Sequence, residues 1–184
     1  MSAHDPRSDL GRMARAESGE LLTLDAHTVA VLHAARYWYR KSSGAVNPAR
    51  AAQTLARQGV RPGLPAQAQG CAGLEGLDFV SATQVRMAAP VLLDLGGIAK
   101  GYAVDQAIEV LAAQGLSEAI VNAGGDILSS GTPTDGWRVG VADPESHENL
   151  ITAIAPEAIE ASSSSESIDW MRALEKASSV CTGS

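Results

Sequence analysis

The stretch LDLGGIAKGYAVD, Leu93–Asp105, constrains this chain more than any other. An apolar run, PVLLDL, ends beside the acid Asp94, breaks at Gly96 and Gly97, and gives way to a helix-like pattern with Lys100 in its expected first turn. A strand that hands over to an amphipathic helix is the pattern of a layered α and β fold. The start of a helix exposes unpaired N–H groups and partial positive charge, so a lysine placed there calls for an anion.

The rest of the chain agrees with a layered domain. From Asp25 to Ser43 a cap-competent Asp25 precedes apolar residues at helical spacing; Arg36, Arg40 and Lys41 follow, with Gly44 just beyond. These are start and stop signals of one helix. A shorter helix is expected over Ala49 to Gln58, closed by Gly59, followed by a loop or insertion from Pro62 to Gly76. Leu77 to Thr83 and Gln84 to Leu95 read as short strands, the second buried. Ala99 to Gln114 reads as a helix with Ala103, Ala107, Val110 and Leu111 on its apolar face and Gly115 as its stop. Strands are expected over Ser117–Ala123 and Asp126–Ser130, around Gly124-Gly125, and over Gly136–Ala142, ended by Asp143-Pro144. The expected fold class is therefore α+β, with helices packed on a largely antiparallel sheet.

Residues 1–150 are expected to form the domain. Residues 151–184 form a divergent Ser-rich tail with a short amphipathic stretch around Ile168 to Leu174. At 184 residues, 45% hydrophobic and 19% charged, the chain has the composition of one globular domain. A formal charge of -7 disfavours nucleic acid and anionic membrane surfaces as partners, so an anion must be held by a local arrangement. Cys71 and Cys181 stand alone, and His27, His33 and His147 have no metal-ligand spacing and are expected at a surface or interface. Glu157 and Glu160 read as solvated acids, and the consecutive aromatics Tyr37, Trp38 and Tyr39 as partly buried in core or interface. No apolar run approaches a membrane span. The N-terminus MSAHDPRSDLGRMARAESGE is polar rather than signal-like, which as given implies a cytoplasmic chain without an export signal.

The glycines, the helix start and Lys100 are three devices that recur where nucleotide phosphates bind. The order Gly96-Gly97-Ile98-Ala99-Lys100-Gly101 is neither a Walker A loop nor a G-x-G-x-x-G dinucleotide fingerprint. Asp94 beside a phosphate would repel it unless the carboxylate takes a ribose or ring N–H donor, or unless a divalent cation such as magnesium lies between them. Two plainer readings stand beside these: Asp94 caps the turn that follows it, and Lys100 is a solvated surface lysine.

Three segments carry a resemblance to a known family. They are Asp94-Leu95-Gly96-Gly97-Ile98-Ala99-Lys100-Gly101-Tyr102-Ala103-Val104-Asp105, then Val121-Asn122-Ala123-Gly124-Gly125-Asp126-Ile127, then Gly136-Trp137-Arg138-Val139-Gly140-Val141-Ala142-Asp143-Pro144. Together they resemble the ApbE family of FAD:protein FMN transferases. Ser8-Asp9-Leu10-Gly11-Arg12-Met13 is similar to that family's Ser-Glu-x-Ser-x-x-Asn segment, and Ser43-Gly44-Ala45-Val46-Asn47-Pro48 to its Gly-Ala-Phe-Asp-Pro turn. The likeness runs in order from about Ser2 to Pro144.

The resemblance implies an ApbE/T-fold-like domain, incomplete at both ends relative to the family pattern. It implies a flavoprotein transferase that moves FMN from FAD to a Ser or Thr hydroxyl of a target protein, releasing AMP with the help of Mg2+. The implied partners are FAD and a flavin-acceptor protein. By position, Asp94, Lys100, Ala45, Val46, Asn47 and His4 would contact FAD, and Gly97 would offer a magnesium ligand through its carbonyl. Asn47 stands where the family has an acid, and His4 where it often has an aromatic. The family's C-terminal His-x-x-Asp-Pro-x-Thr-Gly segment, which completes the metal site, has no match here. That absence keeps a second function in view, a non-catalytic FAD-binding domain or inactive fragment. Family members commonly work in the periplasm or at the membrane, which sets that compartment against the cytoplasmic one.

Overall fold

Asp25 begins the longest helix among the described residues of the N-terminal half, as its residue type suggests. In the computed structural model, which describes residues 1–2, 5–57, 73–142 and 150–154, the Asp25 carboxylate accepts from the His27 N–H at 2.8 Å. The helix α2 then runs Ala26–Lys41. It is preceded by a short helix α1, Asp9–Met13, and a strand β1, Leu21–Thr23. It ends in a Schellman motif: the Gly44 N–H reaches back to the Tyr39 carbonyl at 2.8 Å and the Ser43 N–H to that of Arg40 at 3.1 Å. The left-handed position of this motif is held by Ser43, at φ 52°, and not by a glycine. Helix α3 follows, Pro48–Arg57, with proline at its first position.

A 3-10 turn, Leu74–Gly76, leads into strand β2, Leu77–Phe79, so the end of the expected loop is ordered. Strand β3, Gln84–Met87, lies between β1 and β2, antiparallel to both. Leu22 pairs with Val85 and Leu77 with Met87, and all four are buried. Val29, Val31, Leu32 and Ala35 of α2 are buried as well, with Leu10 and Met13 of α1. His33, expected at a surface or interface, lies half-buried against Phe79 with ring centroids 4.0 Å apart, and the Arg36 guanidinium stands 4.2 Å from the same ring. Burial, then the Arg36 charge, pushes its pKa down to about 4. Tyr37, Trp38 and Tyr39 are each partly buried, Tyr37 meeting Trp38 edge to face at 5.3 Å.

The expected strand through PVLLDL is not formed. Val91, Leu92, Leu93 and Leu95 are buried as expected. Beyond an isolated bridge at Val91, however, the segment makes no ladder. Its N–H groups go elsewhere, Val91 to the Met13 carbonyl at 3.4 Å and Asp94 to that of Pro48 at 3.0 Å. The apolar run reported burial correctly, but burial alone does not choose between a strand and an extended segment satisfied by helix ends.

Residues up to Ala99 form one compact unit, and the described residues from Lys100 onward a second. Helix α4, Gly96–Ala113, starts three residues before its expected first residue, so Gly96 and Gly97 are helical and Lys100 falls in its second turn. Gly115, at φ 85°, stops it in a second Schellman motif. The expected apolar face is not the buried one: Val110 is 62% exposed, whereas Val104 is buried. Apolar residues occur nearly all round this helix, so periodicity does not single out a stripe. Strands β4, Ala119–Ala123, and β5, Asp126–Ser130, form a hairpin in register Ala123↔Asp126. Strand β6, Val139–Ala142, starts later than expected because Gly136, at φ 68°, belongs to a turn; it pairs with β7, Leu150–Ile154, a strand not anticipated. All four strand pairings among the described residues are antiparallel, which makes this the expected α+β class.

His4, Gly59, most of the loop from Pro62, Cys71, Asp143-Pro144, His147 and nearly all of the Ser-rich tail lie outside the described residues. That tail includes Cys181, Glu157, Glu160 and the Ile168 to Leu174 stretch.

Candidate functional site

The entry to α4 is built by two consecutive residues. The Leu95 carbonyl accepts from the N–H groups of Ile98 at 2.9 Å and Ala99 at 2.8 Å, starting the helix. Asp94 Oδ1 accepts from the Gly96 N–H at 2.7 Å, so Asp94 takes the capping role held open by its sequence position. A Cβ on Gly96 would lie 2.9 Å from that carboxylate oxygen, so glycine is what lets the cap sit where it does.

Asp94 is also brought to another of the candidate segments. Its N–H donates to the carbonyl of Pro48, the residue after Asn47. Asn47 itself caps α3, with Oδ1 accepting from the N–H groups of Ala49 and Arg50, both at 3.1 Å. Asn and Asp serve equally as caps, so an amide in the acid's place keeps this structural role while removing a charge. Just before it, Ala45 is exposed and Val46 is 41% exposed, the latter's N–H held by Ser42 Oγ at 2.9 Å.

In the second unit, Lys100 finds its anion within the chain. Its Nζ lies 3.2 Å from Asp126 Oδ2, with the two side chains 55% and 45% exposed. Asp126 is the first residue of β5, directly after the Gly124-Gly125 turn, where both glycines have positive φ, 63° and 101°. Asn122 Oδ1 accepts from the Gly125 N–H at 2.9 Å and fixes that turn. In the sequence Asp126 stands within Val121–Ile127 with no mark of a role of its own. The signal that could have found it was the unmet need of Lys100 for a negative partner.

Gly97 and Gly101 are one turn apart and, with Lys100, share a face of α4. Neither has positive φ, and a Cβ at either would meet nothing within 4 Å. Glycine in a helix costs about 0.5–1 kcal/mol relative to alanine. No backbone conformation demands these two, so space beside the helix is what they provide. Further along, burial and then the neighbouring Glu109 raise the Asp105 pKa to about 6.

Magnesium needs several oxygen ligands near octahedral geometry. The Gly97 carbonyl lies inside a helix, where it is engaged by the N–H four residues on. One Asp94 oxygen is committed to Gly96, and one Asp126 oxygen faces the Lys100 ammonium, a cation already beside it. Among the described residues no three or more His, Cys, Asp or Glu side chains gather to hold a metal. The described residues by themselves do not fit a magnesium ion.

The sequence model of the ApbE family matches residues 1–172. This chain belongs to the ApbE family. An FAD:protein FMN transferase of Treponema pallidum (strain Nichols) is 29% identical over 168 residues, covering 78% of this chain and 46% of that protein. One from Rhodobacter capsulatus is 43% identical over 67 residues, 35% of this chain and 13% of the relative. Among solved structures, an ApbE protein from Thermotoga maritima matches with a TM-score of 0.67 at 26% identity, over 84% of this chain and 53% of that one. The flavin transferase ApbE from Vibrio cholerae, at 24% identity, shares the fold with a TM-score of 0.69, over 85% and 54% of the two chains. The ApbE chain described here thus spans about half the length of these broadly matching relatives. Among its described residues no helix is long and apolar enough to cross a membrane.

Proposed function

We propose that this chain carries the flavin-nucleotide-binding part of an FAD:protein FMN transferase. The observation that carries the reading is the α4 entry: within an ApbE family match, a lysine ammonium stands on the same helix face as two glycines that leave open space. A diphosphate laid against that face would meet a positive charge and no Cβ. Asp94, held at the start of α4, and the Ala45-Val46-Asn47 segment, one hydrogen bond away through Pro48, are proposed to contact the nucleoside portions of FAD. His4 is proposed to stack against the flavin nucleotide.

In the proposed reaction a Ser or Thr hydroxyl oxygen of the acceptor protein bonds to the FMN phosphorus. The bond from that phosphorus to the AMP oxygen breaks, AMP leaves, and the hydroxyl proton is released. The share of this chain's residues is to bind and orient the diphosphate, which is most of what phosphoryl transfer asks of a protein. Magnesium dependence belongs to the proposal for the whole transferase, with no step drawn through the described residues.

The test is incubation of the purified chain with FAD, magnesium and a flavin-acceptor protein that offers the Ser or Thr hydroxyl, reading FAD binding by fluorescence and AMP by chromatography. Saturable binding with AMP release supports the transferase. Binding without AMP identifies a non-catalytic flavin binder, and a folded chain that does neither overturns the reading. Lys100→Met is expected to weaken FAD binding and turnover together.

A further inference from the structure

We propose that Asp126 is an internal counter-anion for Lys100, a positioning residue that occupies the ammonium in the free chain and yields it to the diphosphate of FAD. The inference rests on the reading of Lys100 as an FAD contact and adds to it a residue with no assigned part.

The geometry supports an exchange rather than a fixed bridge. Lys100 Nζ and Asp126 Oδ2 are 3.2 Å apart, and both side chains are about half exposed. Ion pairs this open hold together weakly, up to about a factor of five in population, and salt screens them further. A diphosphate presents more negative charge and several acceptor oxygens to the three donors of one ammonium, so it outcompetes a single carboxylate. The two partners are not equally mobile. Lys100 sits on a long flexible stem, while Asp126 is anchored at the first ladder position of β5, behind a two-residue glycine turn pinned by Asn122. The ammonium is therefore the member that moves on exchange. Gly124 and Gly125 leave open space next to Asp126 in the chain, since a Cβ at either meets nothing within 4 Å.

An anion that must be displaced lowers the apparent affinity of the ligand by the population of the displaced state. Once displaced, the carboxylate also remains a like charge near the phosphate. Both effects act in the same direction: removing the Asp126 charge tightens binding. A merely structural acid at the hairpin would act in the opposite direction or not at all.

The experiment titrates FAD into the wild-type chain, Asp126→Asn, Lys100→Met and the double variant, with far-UV dichroism and melting curves confirming that each is folded. The expected result is a three- to tenfold tighter FAD Kd for Asp126→Asn, roughly the pair's population factor with some relief of repulsion added. In the Lys100→Met background the gain should fall to the smaller part that relief of repulsion supplies, and at high salt it should shrink further. If the wild type binds, Lys100→Met weakens binding, and Asp126→Asn binds equally or less tightly, this inference fails while the FAD reading stands. A gain that persists undiminished without Lys100 also overturns it. If no folded variant binds FAD, or Lys100→Met binds as the wild type does, both readings fall together.

Discussion

Ser43 occupies a backbone conformation that suits it poorly. At φ 52° it fills the left-handed slot at the end of α2, where L-residues with a Cβ lose roughly 1–2 kcal/mol and glycine does not. Its N–H and that of Gly44 already close the Schellman bonds, so a substitution that keeps the backbone keeps the cap. Ser43→Gly is expected to stabilise the chain by about 0.5–1 kcal/mol once the greater unfolded-state freedom of glycine is set against the relieved strain. Urea denaturation checks this, and a lower midpoint for the variant would show that the Ser43 side chain does more than tolerate its place. Asp105 is a residue of the opposite kind, costly only when charged. Burial first, then Glu109, raises its pKa from the ordinary 3.8 to about 6. The folded chain holds this proton more tightly than the unfolded one, so the group's favourable contribution is complete below about 3.8 and disappears as pH rises through about 6. With half of the group still open to water, the effect is on the order of 1 kcal/mol. Asp105→Asn should therefore melt with the wild type near pH 4 and a few degrees above it at pH 7.5, a difference that scanning fluorimetry reads directly.

At the scale of elements, α4 departs most from ordinary helix design. Three of its first six residues are glycine, at positions where alanine would be the better helix former. Gly96 has a local reason, the Asp94 carboxylate 2.9 Å from where its Cβ would be, whereas Gly101 has open space and no positive φ. Gly101→Ala is accordingly expected to raise stability by about 0.5–1 kcal/mol and to weaken FAD binding at least severalfold, because the methyl group fills space assigned to the ligand. Equal binding by a more stable variant would remove the glycine face from the site. The same helix shows what the sequence could convey. Its end was legible because Gly115 has a single conformational job. Its start was not, because Gly96-Gly97 signals a turn as readily as a close approach, and only the hydrogen bonds of Leu95 and Asp94 decide between them. The start and end of α2 were legible from Asp25 and Gly44 for the same local reasons. The PVLLDL segment misled because the partners of its backbone, Met13 and Pro48, are far away in sequence. At the site, Lys100 and Asp94 were both singled out, but the pairing with Asp126 depends on how the hairpin meets the helix, which no local pattern encodes.

For the whole molecule, the distribution of buried side chains sets the order in which parts open. The described core residues extend from Leu10 to Val104, and all but the last belong to the first unit, around the β1, β3, β2 sheet and α2. In the second unit, β4 and β5 have no buried residue, and Ile120 is 37% exposed. A hairpin without a buried face opens locally, at little free-energy cost, whereas amides of a sheet over a packed core exchange only through larger unfolding. Native-state hydrogen exchange is therefore expected to give β3 amides protection at least roughly a hundredfold greater than those of β4 and β5. Leu32, fully buried in α2, provides the control. Leu32→Ala should lower the stability of the first unit by about 2–5 kcal/mol and erode protection in β1, β2 and β3. Exchange in the β4–β5 hairpin should stay the same, since its opening does not pass through that core. Equal acceleration in both units would mean that the chain opens as one cooperative body. In that case the Lys100–Asp126 pair would be held by the global fold, and its exchange for a diphosphate would cost far more than an exposed ion pair implies.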